Sequence, residues 1–254
     1  VAPPVFHIEP SQHPDAGGEL TVTGDEARHA AQVARIRAGE PIHLVDGEGR
    51  RLEGVVTASA RNALVVSVDR VITEPEPMPR IVVIQALAKG DRGELAVAAM
   101  TEVGVDVIVP WSAEHCVVRW DDERARRGVA KLQSTARAAA KQARRARVPR
   151  VEGLHTTDQL APWIAGAALA IGLDESATDP LAGFDIPAAG DVTLIVGPEG
   201  GLSEVERVRL ADLGAHLARL GPTVLRTSTA GPVAAGIVLA RTARWGVGHV
   251  RMSP

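Results

Sequence analysis

Val192-Thr-Leu-Ile-Val-Gly-Pro-Glu-Gly-Gly-Leu-Ser203 is a strand, a sharp turn and the start of a helix in twelve residues. The first five are almost continuously apolar, as in a strand buried on both faces. Gly197, Gly200 and Gly201 then remove Cβ atoms where the chain must bend and where a ligand can approach the backbone. Ser203 and Glu206 have capping-box spacing and open a helix expected to run to Leu213. A plain strand-to-helix loop is the bland alternative. Two glycine positions flanking Pro-Glu at the end of a buried strand favour a binding site.

The same rhythm extends in both directions. Strands are expected at Ile81–Leu87, Val107–Pro110, Ala168–Leu173 and His216–Leu220. Helices are expected from about Asp91 to Val103, Glu123 to Ala146 and Thr227 to Ala243. Alternating strands and helices imply an α/β domain with a mostly parallel sheet, which binds ligands beyond the carboxyl ends of its strands. A second unusual turn, Leu220-Gly-Pro-Thr-Val-Leu-Arg-Thr-Ser-Thr229, follows the last strand. Hydroxyls and the Arg226 guanidinium at a helix start suit an anionic or nucleoside ligand. Capping by Thr227 or Ser228 is expected there, but capping leaves Arg226 unexplained.

Upstream, Thr73-Glu-Pro-Glu-Pro-Met-Pro79 permits neither a helix nor a central strand and marks a domain boundary. Before it the pattern is short and β-rich. Strands at Glu19–Thr23, Ile42–Val45, Arg51–Val56 and Ala63–Val68, with one helix from about Asp25 to Arg35, suggest a small barrel.

Composition narrows the class. The chain has 254 residues, 45% of them hydrophobic and 23% charged, enough for one or two folded domains. No membrane span and no signal peptide are expected. The single cysteine, Cys116, fits a reducing compartment, hence the cytoplasm, and a buried bystander better than a nucleophile. No Cys/His set has metal-ligand spacing, so no metal is expected. The net charge is only −3, yet Arg124 to Arg150 carries ten Lys or Arg and no acid. Such a patch suits a phosphate backbone; a solvated helix face is the alternative. Lys89-Gly-Asp-Arg-Gly-Glu94 fits a salt-bridged helix start and an RNA-facing edge equally. Dinucleotide-binding, P-loop and nucleophile-elbow motifs are absent.

Taken together, these motifs resemble the RsmE family of bacterial 16S ribosomal RNA uridine N3-methyltransferases, within the SPOUT superfamily. The resemblance rests on Gly197-Pro-Glu-Gly-Gly-Leu202 followed by Leu225-Arg-Thr-Ser-Thr-Ala230, and on Lys89-Gly-Asp-Arg92 with Thr101-Glu-Val-Gly104. Gln142, Arg145 and Pro149 match the end of the family's basic helix, and His29, Val33, Arg35 and Gly39 match its first domain. The chain departs from the family at Ala99, where Lys is frequent, and at His115 and Cys116, where Arg and Ser are usual.

The resemblance implies a PUA-like RNA-binding β-barrel over residues 1–73 and a SPOUT α/β methyltransferase domain over 80–254 with a C-terminal trefoil knot. It implies a homodimer acting on 16S rRNA, naked or in the small subunit, with S-adenosylmethionine as cofactor. By position, the cofactor residues are Leu173, Val196, Gly197, Pro198, Gly200, Gly201, Leu220, Gly221, Val224, Leu225 and Thr229. Arg35, Lys89, Arg92, Lys141, Arg144 and Arg145 are the expected RNA contacts, and Arg226 and Glu199 the catalytic candidates. The alternatives are another SPOUT RNA methyltransferase, a non-catalytic RNA-binding assembly factor, and an enzyme acting on small phosphorylated metabolites.

Overall fold

The computed structural model describes residues 2–11 and 14–246. Val1 and the segment 247–254, which belong to the two expected domains, lie outside the described residues. The chain divides into two compact units, residues 1–76 with 140–148, and residues 77–139 with 149–254.

In the first unit, β1 (Val5–His7), β2 (Glu19–Thr23), β3 (Pro41–Val45), β4 (Arg50–Ala60) and β5 (Ala63–Thr73) form one curled sheet in the order β1-β3-β4-β5-β2. Strict alternation points Leu20 and Val22 of β2 inward. The two long strands bend at register shifts between Glu53/Gly54 and Val56/Ala58. A Cβ on Gly54 would stand 2.1 Å from the Ser67 carbonyl oxygen, so only glycine lets the strands approach there. The sheet surrounds Phe6, Ile42, Leu44, Leu52, Leu64 and Val66.

Two local features depart from the sequence pattern. β1 pairs parallel with β3 and was not expected, since three residues show no periodicity. The expected helix is instead α1 (Gly24–Arg28) followed by a π-helical turn, His29–Val33, and Arg35 stands at φ 56°. The wider turn keeps Ala27, Ala30 and Ile36 all in the core, which a straight helix to Arg35 would not.

The second unit is built on β6 (Arg80–Ala86), β7 (Val107–Ser112), β8 (Arg150–Val151), β9 (His155–Thr156), β10 (Leu169–Leu173), β11 (Asp191–Val196) and β12 (His216–Ala218). Their order is β12-β10-β11-β6-β7-β8, with β9 also on β7, and every pairing is parallel. Ile81 to Ile84 are fully buried, the mark of a strand covered on both faces. The helices are α2 (Arg92–Val103), α3 (Asp122–Gln142), α4 (Ala161–Ala165), α5 (Glu204–Asp212) and α6 (Thr227–Ala240). From β6 the chain proceeds to β7 on one side; from β11 it proceeds to β12 on the other. The carboxyl ends of β6 and β11 therefore flank a topological switch point, where open sheets place their ligands.

α6 returns from the sheet edge to pack on β6, β11 and α2. A Cβ at Gly231 would come within 3.1 Å of both Gln85 Oε1 and Met100 Sδ, so α6 packs tightly there against β6 and α2. α3 ends at Gln142 rather than Ala146. Arg144 adopts φ 56°, and the Arg145 N–H bonds the Ala140 carbonyl at 2.9 Å, a left-handed helix stop filled by arginine instead of glycine.

Candidate active site

Beyond the ends of β10, β11 and β12 lies a cavity of about 510 Å³. Leu173 borders it from β10, Val196 to Leu202 from the turn after β11, and Arg219 to Thr227 from the turn after β12. Of the residues expected at a cofactor, Leu173, Val196, Gly197, Pro198, Gly200, Gly201, Leu220, Gly221, Val224 and Leu225 border this space, as do Glu199 and Arg226. Thr229 does not.

Local geometry accounts for the glycines. The Gly201 N–H bonds the Pro198 carbonyl at 2.9 Å, and Gly201 turns the chain at φ 72°. A Cβ on Gly197 would stand 3.1 Å from Leu202 Cδ2. The Thr227 hydroxyl donates to the Gly197 carbonyl at 3.2 Å and so ties the two turns together. That corrects the expected capping by Thr227 or Ser228. Arg226 is the N-cap residue, among the described residues no side chain caps the start of α6, and the Thr227 hydroxyl is turned toward the neighbouring turn. The Arg226 side chain is exposed at the cavity. By contrast the capping box of α5 forms as expected, with Ser203 Oγ accepting from the Glu206 N–H at 3.2 Å and Glu206 Oε2 from the Ser203 N–H at 3.0 Å.

Charge is concentrated at two edges. Glu199 accepts from the Lys89 backbone N–H at 3.4 Å, and Arg92 lies 3.8 Å from the same oxygen. Lys89-Gly-Asp-Arg92 is thus beside the glycine turn, with Arg92 in an ion pair. On another edge is Asp174, which sequence reasoning missed although it directly follows a strand ending at the site. It is 6% exposed, bonds the Arg207 guanidinium at 2.6 Å and receives the Ser176 hydroxyl at 2.5 Å. Burial pushes its carboxyl up, but the hydrogen bonds from Ser176 and Arg207 outweigh this and hold it below the usual aspartate value.

The chain matches a family described as RNA methyltransferase domain over residues 74–239, and one described as RNA methyltransferase PUA domain over residues 22–69. It is 44% identical over 237 residues to ribosomal RNA small subunit methyltransferase E of Mycobacterium bovis, covering 91% of this chain and 90% of that one. The chain belongs to the ribosomal RNA small subunit methyltransferase E family. The Bacillus subtilis member is 28% identical, with 83% and 86% covered. A member from Neisseria gonorrhoeae, whose structure has S-adenosyl methionine bound, superposes with a TM-score of 0.82 at 26% identity over 94% of this chain and 97% of that one.

In this member of the methyltransferase E family, the basic run is less bare than its sequence suggests. Lys131 pairs with Glu94 at 2.7 Å, Lys141 with Glu26 at 2.6 Å, Arg127 with Glu123 at 3.5 Å and Arg124 with Asp121 at 3.8 Å; Arg150 pairs with Glu152. Carboxylates from outside the run thus offset part of its positive charge. Lys141 also lies 4.4 Å over the Phe6 ring. Arg126, Arg137 and Arg144 are exposed, as are Lys89 and Arg35. Arg145 is half-buried. Cys116 is buried; burial pushes its thiol up, and it points to the Trp111 carbonyl. That environment suits an inert thiol. Among the described residues no group of three or more His, Cys, Asp or Glu could hold a metal, and no helix is long and apolar enough to cross a membrane.

Proposed function

We propose that the chain uses S-adenosylmethionine to methylate N3 of one uridine in 16S ribosomal RNA, as a homodimer in the bacterial cytoplasm. The observation that carries this reading is the cavity beyond the carboxyl ends of β10, β11 and β12, walled by two glycine-containing turns joined through Thr227 and Gly197. Its volume is ordinary for a cofactor site. The residues fit the molecule in kind: leucine and valine side chains for a flat base, bare backbone at Gly197 and Gly221, and both charge signs at the rim from Asp174, Glu175, Arg207 and Arg219. Leu173, Val196, Gly197, Pro198, Gly200, Gly201, Leu220, Gly221, Val224 and Leu225 hold the cofactor in this reading.

When bound, S-adenosylmethionine supplies a methyl group activated by a sulfonium. Uracil N3 carries a proton and is a poor nucleophile until that proton leaves. Glu199, fixed by the Lys89 N–H and Arg92, accepts it. The resulting negative charge spreads onto the uracil carbonyl oxygens, and the exposed Arg226 guanidinium stabilises it. A uridine in a helix hides N3, so the target is flipped or unpaired. Arg35, Lys89, Arg92, Arg144 and Arg145 hold phosphates; Lys141 joins them only by leaving Glu26.

We further assign a trefoil knot to the C-terminal segment. β12 lies at the sheet edge, yet α6 packs on β6 and β11, so the segment 219–226 crosses back past the 197–203 turn. Leu95 of α2 and Val233 of α6 are exposed apolar side chains on two packed helices, and they support a dimer face there. The decisive experiment is mass mapping of methylated nucleosides in 16S rRNA from cells with and without the protein, with naked rRNA and assembled subunits as substrates in vitro. One N3-methyluridine should vanish without the protein and return on incubation with it. An unchanged map would overturn the assignment.

A further inference from the structure

The loop between β7 and α3 is a second element built against the glycine turn. His115 Nδ1 lies 3.2 Å from the Gly200 carbonyl oxygen and 3.2 Å from that of Gly201. Both partners are acceptors only, so Nδ1 carries a proton and donates to the pair. A Cβ on Gly200 would stand 3.0 Å from His115 Cβ, so the absent side chain at Gly200 is what admits the histidine.

The loop that carries His115 is itself fixed. Arg119 donates to the Ala113 carbonyl at 3.1 Å and to the Glu114 carbonyl, and the Cys116 N–H returns to Ala113 at 3.2 Å. From the other side Glu206, 2% exposed, spends one carboxylate oxygen on the α5 capping box and the other on the Glu114 N–H at 2.8 Å. α5 begins directly after the glycine turn, so this carboxylate links the turn's exit to the loop that grips the turn.

We infer that His115 is a positioning residue for the cofactor: it fixes the Gly200 and Gly201 peptide planes before the cofactor arrives. Paired glycines lose more conformational entropy on ordering than other residues. A turn ordered in the free protein spares the ligand that cost, and the gain appears as affinity. The inference rests on the cofactor reading above.

The test is calorimetry with S-adenosylhomocysteine, alongside hydrogen exchange of the Gly201 amide and steady-state kinetics, on the full chain. His115→Ala should raise the dissociation constant and the KM for S-adenosylmethionine about five- to tenfold, leaving saturated kcat within about twofold and the melting temperature unchanged. Gly201 exchange should accelerate by a similar factor without any ligand. His115→Asn places an amide N–H where Nδ1 stands and should recover most of the affinity. Wild-type affinity and wild-type exchange in His115→Ala would overturn the brace. Wild-type protein that binds no S-adenosylhomocysteine, yet whose Gly201 exchange responds to His115→Ala, would overturn the cofactor reading while leaving the brace of the turn intact.

Discussion

Arg226 contributes its backbone to α6 and its side chain to the cavity. Its carbonyl accepts from the Thr229 and Ala230 N–H groups at 2.8 and 2.9 Å, whatever the side chain. Arg226→Ala should therefore fold normally and bind S-adenosylhomocysteine within about twofold, yet lose methyl transfer by about a hundredfold or more, as when a preorganised charge stabiliser is removed. Turnover within tenfold of wild type would remove Arg226 from the mechanism. Thr227 reaches Gly197 through its hydroxyl, while its backbone carbonyl accepts from Gln85 Nε2 at 3.3 Å. Thr227→Val keeps the shape, leaves the half-buried Gly197 carbonyl without that donor, and should cost about 1 kcal/mol in chemical denaturation. The two residues are adjacent in sequence and were both expected to matter, but sequence alone gave Thr227 the wrong partner. A hydroxyl at a helix start reads as a cap, and only the returning chain shows the Gly197 carbonyl beside it.

At the scale of elements, α3 separates charge from structure. Arg144 ends the helix in a left-handed conformation that glycine adopts freely. Arg144→Gly should stabilise the protein by about 0.5–1 kcal/mol while weakening RNA binding and lowering its salt slope by about one. A variant that gains stability with unchanged RNA affinity and slope would make this part of the patch a solvated surface. The long strands and helices of the second unit were legible because burial on two faces leaves continuous apolar runs, as in Ile81–Ile84. β8 and β9, two residues each, carry no periodicity and exist through pairing with β7. The glycine turn was legible for the same reason as its strand, since both come from consecutive residues. Asp174, Arg207 and His115 were not, because each acts across a gap in sequence: Asp174 to Arg207, and His115 to Gly200 and Gly201.

For the whole molecule, acid should act on the two units at different pH. His43 belongs to the first unit. Burial lowers its imidazole below the ordinary 6.5, Glu53 opposes this, and Arg51 and Arg144 add to it. The unfolded chain then binds the extra proton first, so this contribution to stability is present above about 6.5 and is lost as pH falls below it. Asp174 belongs to the second unit, and its carboxyl is held below the ordinary 3.8. Its contribution persists through mild acid and is lost only as pH falls below about 3.8, through the folded-state value. Trp111, Trp120, Trp163 and Trp245 all lie in the second unit, so tryptophan fluorescence reports that unit, whereas the β signal in circular dichroism includes the first. Between pH 7 and 5.5, His43→Gln should reduce the acid sensitivity of the dichroism-detected transition and leave the fluorescence-detected one unchanged. Below pH 4, Asp174→Asn should flatten the fluorescence-detected transition, at a cost in stability at neutral pH where the Arg207 pair is lost. Equal responses of both probes to His43→Gln would show that the units unfold as one cooperative system, and a wild-type pH profile in the variant would remove His43 as its source.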